Sequence, residues 1–242
     1  MTSPYSVLVG QTAIVTGASS GIGLSITRLL FDAGCKVAVV GRNQQRLQPA
    51  VEGMSPDRHL VFECDVRDDV AVCSMVASVE QSWGRVDILI NSAGLFKVAS
   101  LADTTNEMWD DMWHTNVNGT FYPTRAVVSG MVERGKGTIV MVSSVAAHRN
   151  YSGNAAYGAS KYAVTGFARA LSTEVRRKGV RVVNVMAGPV DTPIWDGMDT
   201  PMAREEMLTS DEVARATISA MSVSETQVIE DVLLLPQKGL YF

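Results

Sequence analysis

Seven short apolar runs punctuate this chain at intervals long enough to hold a helix, and that rhythm limits what it can fold into. They are 12–16 (TAIVT), 36–40 (KVAVV), 59–64 (HLVFEC), 86–91 (VDILIN), 138–142 (TIVMV), 181–186 (RVVNVM) and 231–235 (DVLLL). Most are continuous rather than alternating in polarity, as strands buried on both faces of a parallel sheet must be. Between the first two runs, Ile22, Ile26, Leu29, Leu30 and Ala33 share one helical face, and Gly34 stands where such a helix would end. Strand, helix and strand alternate in this way along most of the chain, so right-handed βαβ crossovers follow. The expected architecture is α/β: a Rossmann-type, doubly wound, three-layer fold around a seven-stranded parallel sheet.

With 242 residues and 46% hydrophobic content, the chain can bury a sizeable core. No internal repeat or low-complexity linker divides it, so residues 1–242 read as one domain. Pro189, Pro193 and Pro201 cluster after the sixth run and predict a lid-like segment at about 189–207. The charge balance, 21 basic against 25 acidic residues for a net −4, argues against a nucleic-acid or anionic-membrane surface. No apolar stretch has transmembrane length and the first ten residues lack a leader pattern, which predicts a cytoplasmic protein. Cys35, Cys64 and Cys73 form no CxxC, and His59, His114 and His148 stand alone, so neither a disulfide framework nor a metal site is expected.

Directly after the first strand comes Thr16-Gly17-Ala18-Ser19-Ser20-Gly21-Ile22-Gly23. Glycines here let the backbone turn tightly and approach a pyrophosphate, while the following helix offers free N–H groups and its positive dipole end. The spacing is G-x-x-x-G-x-G rather than GxGxxG, and no Gly-Lys-Ser/Thr makes it a P-loop. A site for NAD usually carries a carboxylate at the end of the second strand. Here Gly41-Arg42-Asn43 stands there, with no acid between Asp32 and Glu52. A guanidinium matches a 2′-phosphate bidentately, which favours NADP(H), although Arg42 also suits an ordinary surface position. Ser19, Asn43 and Arg46 are further candidates around such a phosphate.

Tyr157 and Lys161 fall on one face of a helix, and a lysine cation beside a phenol lowers the phenol's pKa toward neutrality. Ser143-Ser144 ends the fifth strand, at the sheet edge where open α/β folds carry their ligands. A YxxxK pair alone has little specificity; its company supplies it.

Taken in order, TGASSGIG (16–23), CDV (64–66), NSAG (91–94), NVNG (116–119), VSS (142–144), YGASK (157–161) and NVMAGPVDT (184–192) resemble the short-chain dehydrogenase/reductase family, in its NADP-preferring branch. The likeness spans nearly the whole chain. It implies that Tyr157 exchanges a proton with a carbonyl oxygen, that Lys161 lowers its pKa and holds the nicotinamide ribose, and that Ser144 binds the substrate oxygen. Asn116 would hold a water linking Lys161 to solvent. Gly17, Ser19, Ser20, Gly21, Ile22, Gly23, Arg42, Asn43, Asp65, Val66, Asn91, Ala93, Gly94, Tyr157, Lys161, Gly188, Val190 and Thr192 would surround NADP(H). NSAG stands where the family usually has NNAG, and Ala187-Gly188 where it usually has Pro-Gly, which bears on the loop beside the nicotinamide.

The expected activity is hydride transfer between nicotinamide and a small carbonyl or alcohol. Two alternatives stay open: a 3-oxoacyl-acyl-carrier reductase, for which Arg125, Arg149 or Arg169 could supply a basic patch, and a non-catalytic NADP-sensing regulator. Leu95, Phe96, His148, Tyr151, Trp195, Met198 and Met202 are candidates for the substrate pocket. The resemblance also implies a homotetramer, with a dimer second. Trp109, Met112, Trp113, Val117, Phe121, Phe167, Ala168 and Leu171 supply apolar candidates for that pairing, some of which must face the sheet.

Overall fold

The computed structural model describes residues 5–198, 200 and 202–239. Seven strands form one all-parallel sheet: β1 (Thr12–Thr16), β2 (Lys36–Gly41), β3 (His59–Glu63), β4 (Ile88–Asn91), β5 (Gly137–Val142), β6 (Val180–Ala187) and, last in the chain, β9 (Asp231–Leu234). Their spatial order is β3-β2-β1-β4-β5-β6-β9, so the winding reverses between β1 and β4. The Rossmann-type α/β fold with a seven-stranded parallel sheet is therefore present as expected.

The continuous apolar runs are explained by what lies on either face. In β1, Ala13 and Val15 join one core cluster while Ile14 joins the other. On the first face pack α1 (Gly21–Asp32), α2 (Gln44–Val51) and α7 (Ser210–Met221); on the second, α3 (Asp69–Trp83), α5 (Gly119–Glu133) and α6 (Ala155–Val175). A strand with a core above and another below has no wet side to mark with polar residues.

Local signals set the element ends. Asp68 caps α3 by accepting from the N–H groups of Val70 and Ala71 at 3.0 Å, and Gly84 ends it in the left-handed region at φ 84°. β4 starts at Ile88, later than the run 86–91 suggests; just ahead of it the Asp87 carboxylate accepts from Thr12 N–H and pairs with Arg85. The short helix α4 (Asn106–Met112) passes into a π-helical segment, Trp113–Asn118, before α5 begins. Two-residue strands β7 (Val190–Asp191) and β8 (Leu208–Thr209) pair in parallel and clasp the base of the segment 189–207. Asp199 and Pro201, which fall within that segment, lie outside the described residues.

Candidate active site

The site grows from the winding reversal between β1 and β4, where the following helices go to opposite faces of the sheet and leave a crevice at its edge. Gly17 adopts φ 66°, and a Cβ there would lie 2.7 Å from the backbone nitrogen of Ala93. A Cβ at Gly23 would lie 2.3 Å from the Gly17 carbonyl oxygen. Both glycines are thus demanded by close backbone approach. Thr16, buried beneath them, stitches the two turns together: its Oγ1 accepts from the N–H groups of Ser92 at 3.1 Å and Ala93 at 3.2 Å.

A cleft of about 370 Å³ opens there. It is lined by the turn (Gly17, Ser19, Ser20, Gly21, Ile22, Gly23), by Arg42, Asp65, Val66, Ala93 and Gly94, and by Tyr157, Lys161 and Thr192. Other expected residues stand apart from this lining. The Asn43 side chain caps α2, accepting from Arg46 N–H at 3.1 Å, and buried Asn91 donates to Thr124 Oγ1 at 3.0 Å. Gly188 and Val190 line a second, adjoining pocket instead. Arg46, a further candidate for the phosphate, lines the cleft beside Arg42. Cys64 and Ser92, which fall inside the CDV and NSAG motifs but were not singled out, also line the cleft, as do Thr115, Pro193 and Ile194, whose side chains carry no signature that patterning could read. Sequence reasoning also missed Glu63, whose Oε2 accepts from Gln44 N–H at 3.1 Å and so serves the start of α2.

On the Arg42 side of the cleft, burial raises the Asp65 carboxyl. The Arg67 guanidinium outweighs that effect, with Nη2 2.7 Å from Oδ2, and holds the group below the usual carboxylate range.

Three side chains converge at the inner end. Ser144 precedes a 3-10 turn, its Oγ accepting from Ala146 N–H at 3.1 Å, and it hydrogen-bonds Tyr157. Tyr157 and Lys161 both point inward from α6, and both are buried. Burial pushes the Tyr157 phenol up to about 12, with the Ser144 hydrogen bond pulling the other way, and pushes the Lys161 ammonium down to about 8. The expectation that Lys161 lowers the phenol's pKa is therefore not met in this structure. Lys161 Nζ donates to the Val142 carbonyl at 3.0 Å and sits 5.8 Å from the phenol ring centre, so desolvation dominates both groups.

Asn116, on the π-helical segment, spends its amide on neighbours. Oδ1 accepts from Leu95 N–H at 2.7 Å, while Nδ2 donates to the Leu95 carbonyl and to Ser160 Oγ, each at 2.9 Å. It fixes the chain leaving β4. A Cβ at Gly94 would come within 3.5 Å of Asn116 Oδ1 and 3.7 Å of Lys161 Nζ, so that glycine keeps the space between them open.

The adjoining pocket, about 110 Å³, shares Ile22, Ser143, Tyr157, Thr192 and Ile194 with the cleft, and adds Phe96, Ser144, Val145, Tyr151, Gly188 and Trp195. Of the pocket residues expected from sequence, Phe96, Tyr151 and Trp195 line it. Leu95 and Met198 pack around its aromatic cluster, Met202 is buried elsewhere, and His148 is exposed. Among the described residues, no group of His, Cys, Asp or Glu is arranged to hold a metal ion.

Comparison with known proteins accords with this geometry. The family model for short chain dehydrogenases matches residues 11–202. An uncharacterized oxidoreductase of Staphylococcus saprophyticus is 32% identical over 232 residues, covering 95% of this chain and 98% of its own. Serine dehydrogenase from Escherichia coli superposes with a TM-score of 0.85 at 32% identity, covering 96% of this chain and 100% of that one. A closed form of serine dehydrogenase complexed with NADP+ gives 0.86 at 31% identity, covering 96% and 97%. A doubly wound sheet with this crevice and this motif series defines one class of protein. The chain belongs to the short-chain dehydrogenase family and is an oxidoreductase of it.

Proposed function

We propose that this protein is an NADP(H)-dependent enzyme that interconverts a small carbonyl compound and its alcohol, with Tyr157 as acid and base. The observation that carries this reading is that Tyr157 lines both the long cleft and the adjoining pocket. A proton held there reaches a molecule in the pocket while a coenzyme lies in the cleft. The cleft suits a dinucleotide: its glycine turn admits a pyrophosphate against the start of α1, and no side chain fills it. The bound coenzyme supplies the hydride.

The remaining work falls to this chain's residues. Ser144 orients the carbonyl oxygen, Tyr157 donates the proton to it, and Lys161 holds positive charge behind the phenol. Asn116 positions the turn that carries Gly94 and Leu95. Gly17, Ser19, Ser20, Gly21, Ile22 and Gly23 receive the phosphates, and Asp65 and Val66 the adenine. Gly188, Val190 and Thr192 lie at the nicotinamide end, where Thr192 lines both spaces. Asn43 and Asn91 support the site through the cap of α2 and the end of β4.

Preference for NADP(H) rests on Arg42 and Arg46, which flank the cleft at the end of β2, with the nearby carboxylate Glu63 engaged by α2. A relative complexed with NADP+ supports it. Charge-assisted hydrogen bonds contribute about 1.5–3 kcal/mol each, so a preference of ten- to several-hundred-fold is expected. Comparing kcat/KM for NADPH and NADH tests this, and Arg42→Ala should narrow the ratio at least tenfold. Equal values in the unaltered protein would sink it. Gly41→Asp combined with Arg42→Ala should reverse the preference; the atoms nearest a Cβ at Gly41 belong to the Leu47 side chain, the first at 3.1 Å, so Leu47 must shift by a few tenths of an ångström.

The seven strands run from Thr12 to Leu234 in one sheet, which supports reading 1–242 as a single domain. The segment 189–207, clasped by β7 and β8, is then its lid. Three free cysteines fit a cytoplasmic protein, and among the described residues no helix is long and apolar enough to cross a membrane. An acyl-carrier substrate gains no support from the arginines: Arg125 pairs with Asp69 and Arg169 with Asp231, on separate elements. A non-catalytic sensor would have no need of Ser144, Tyr157 and Lys161 together.

A further inference from the structure

We infer that the substrate is an uncharged ketone or aldehyde, or the matching alcohol, whose substituent is compact and apolar, and that carboxylate-bearing hydroxy or oxo acids are rejected. This rests on the reading of Tyr157 given above. Among the described residues lining the pocket beside Tyr157, none carries a charge. Its walls are Phe96, Val145, Tyr151, Val190, Ile194 and Trp195.

The polar edges of these walls are already committed. Trp195 Nε1 donates to the Val190 carbonyl at 3.0 Å, which leaves the indole's apolar surface to the pocket. Phe96 meets Tyr157 edge-on at 4.6 Å between ring centres and Trp195 at 5.0 Å, so the aromatic wall is locked by mutual packing. Burial, reinforced by neighbouring Tyr157, pushes the Tyr151 phenol up, so that group stays neutral.

A carboxylate entering such a space must be paired or pay its desolvation in full. The nearby cations do not answer it. Lys97 is bound to Asp111 at 3.0 Å. Arg204 is held by Asp191, Asp196 and the Thr192 carbonyl. Arg149 and His148 are exposed and outside the lining. Lys161 lies in the cleft with Nζ on the Val142 carbonyl. Size argues the same way: a dry apolar cavity of roughly 150 Å³ accepts benzene, so about 110 Å³ takes a branched alkyl group or, at most, a single ring.

The test uses a matched pair differing in charge, ethyl 3-oxobutanoate and 3-oxobutanoate, with the wild-type protein and NADPH at neutral pH. The ester should show kcat/KM at least about 100-fold higher, and serine should not be oxidised with NADP+. Equal or greater activity with the acid, lost in Tyr157→Phe, would overturn the inference while leaving the proposed chemistry standing. Ile194→Lys, at an exposed rim position, places a cation where none now lies and should cut the ester-to-acid ratio at least tenfold. An unmoved ratio would show that this pocket does not receive the substrate. Should neither compound be turned over, the proposed chemistry falls instead. Calorimetry of each compound with the NADP+-saturated protein then decides the inference: tenfold tighter ester binding upholds it, and equal, tighter-acid or undetectable binding overturns it.

Discussion

Lys161 and Tyr157 are held in place at a cost to the folded state, and burial sets the sign of each cost. Lys161 titrates near 8 when folded against about 10.5 in an unfolded chain, so the unfolded chain binds its proton more tightly. Its penalty is fully present below about pH 8 and fades as pH climbs toward 10.5. For Tyr157, raised to about 12, the folded state keeps the proton, so stability falls as pH rises above about 10. Lys161→Met should therefore melt a few degrees above wild type at pH 7, with the advantage shrinking by pH 10, while turnover is lost. A lower melting temperature at pH 7 would show that the hydrogen bond to Val142 outweighs desolvation. Tyr157→Phe keeps the ring against Phe96 and removes the proton, so kcat should fall by at least ~10²–10⁴-fold with coenzyme affinity, read by fluorescence titration, little changed. At this scale the sequence was readable wherever chemistry demands one residue type at one spacing. The pairing of Tyr157 with Lys161 stood out, but the protonation state did not, because burial comes from residues far along the chain.

The elements show the same division. β1 and β2 were visible because strands with two buried faces carry unbroken apolar runs, and α1 was visible through its single apolar stripe. β7 and β8 were not, since two residues cannot display a period. Their clasp meets α7 at Thr209, which is also half of a capping box: its hydroxyl accepts from Glu212 N–H at 3.2 Å, while Glu212 accepts from Thr209 N–H at 2.7 Å. Thr209→Ala should cost about 1 kcal/mol in a urea melt. Because β8 ends at this residue, the same variant should raise KM for the carbonyl substrate more than KM for the coenzyme. A change confined to stability would separate the cap from the lid.

For the whole molecule, the expectation of assembly falls on the helices around α5 and α6. Met112, Ala168 and Leu171 turn out to be buried against the chain's own core, which removes them from the set of pairing residues. Trp109 and Phe121 remain exposed, with Trp113 stacked on the first and Phe167 edge-on to the second. We propose that this surface supports a homotetramer, or failing that a dimer. Light scattering at micromolar concentration should give a multiple of the 26.0 kDa chain mass, and Phe121→Asp should lower it. A monomeric wild type would refute the proposal. Burial patterns in a lone sequence could not separate the two groups, because an apolar residue reads alike whether it faces its own sheet or a second copy.

The π-helical turn at Trp113–Asn118 is an extra residue lodged in an otherwise continuous helix, and it behaves like a spacer in a ratchet. Every side chain before it is offset by roughly 100° from where an unbroken α-helix would put it. Deleting Thr115 would let the ladder close regularly. The helix would gain ordinary hydrogen bonding, yet the Asn116 amide would swing away from Leu95 and Ser160. The shortened chain should fold well and work badly.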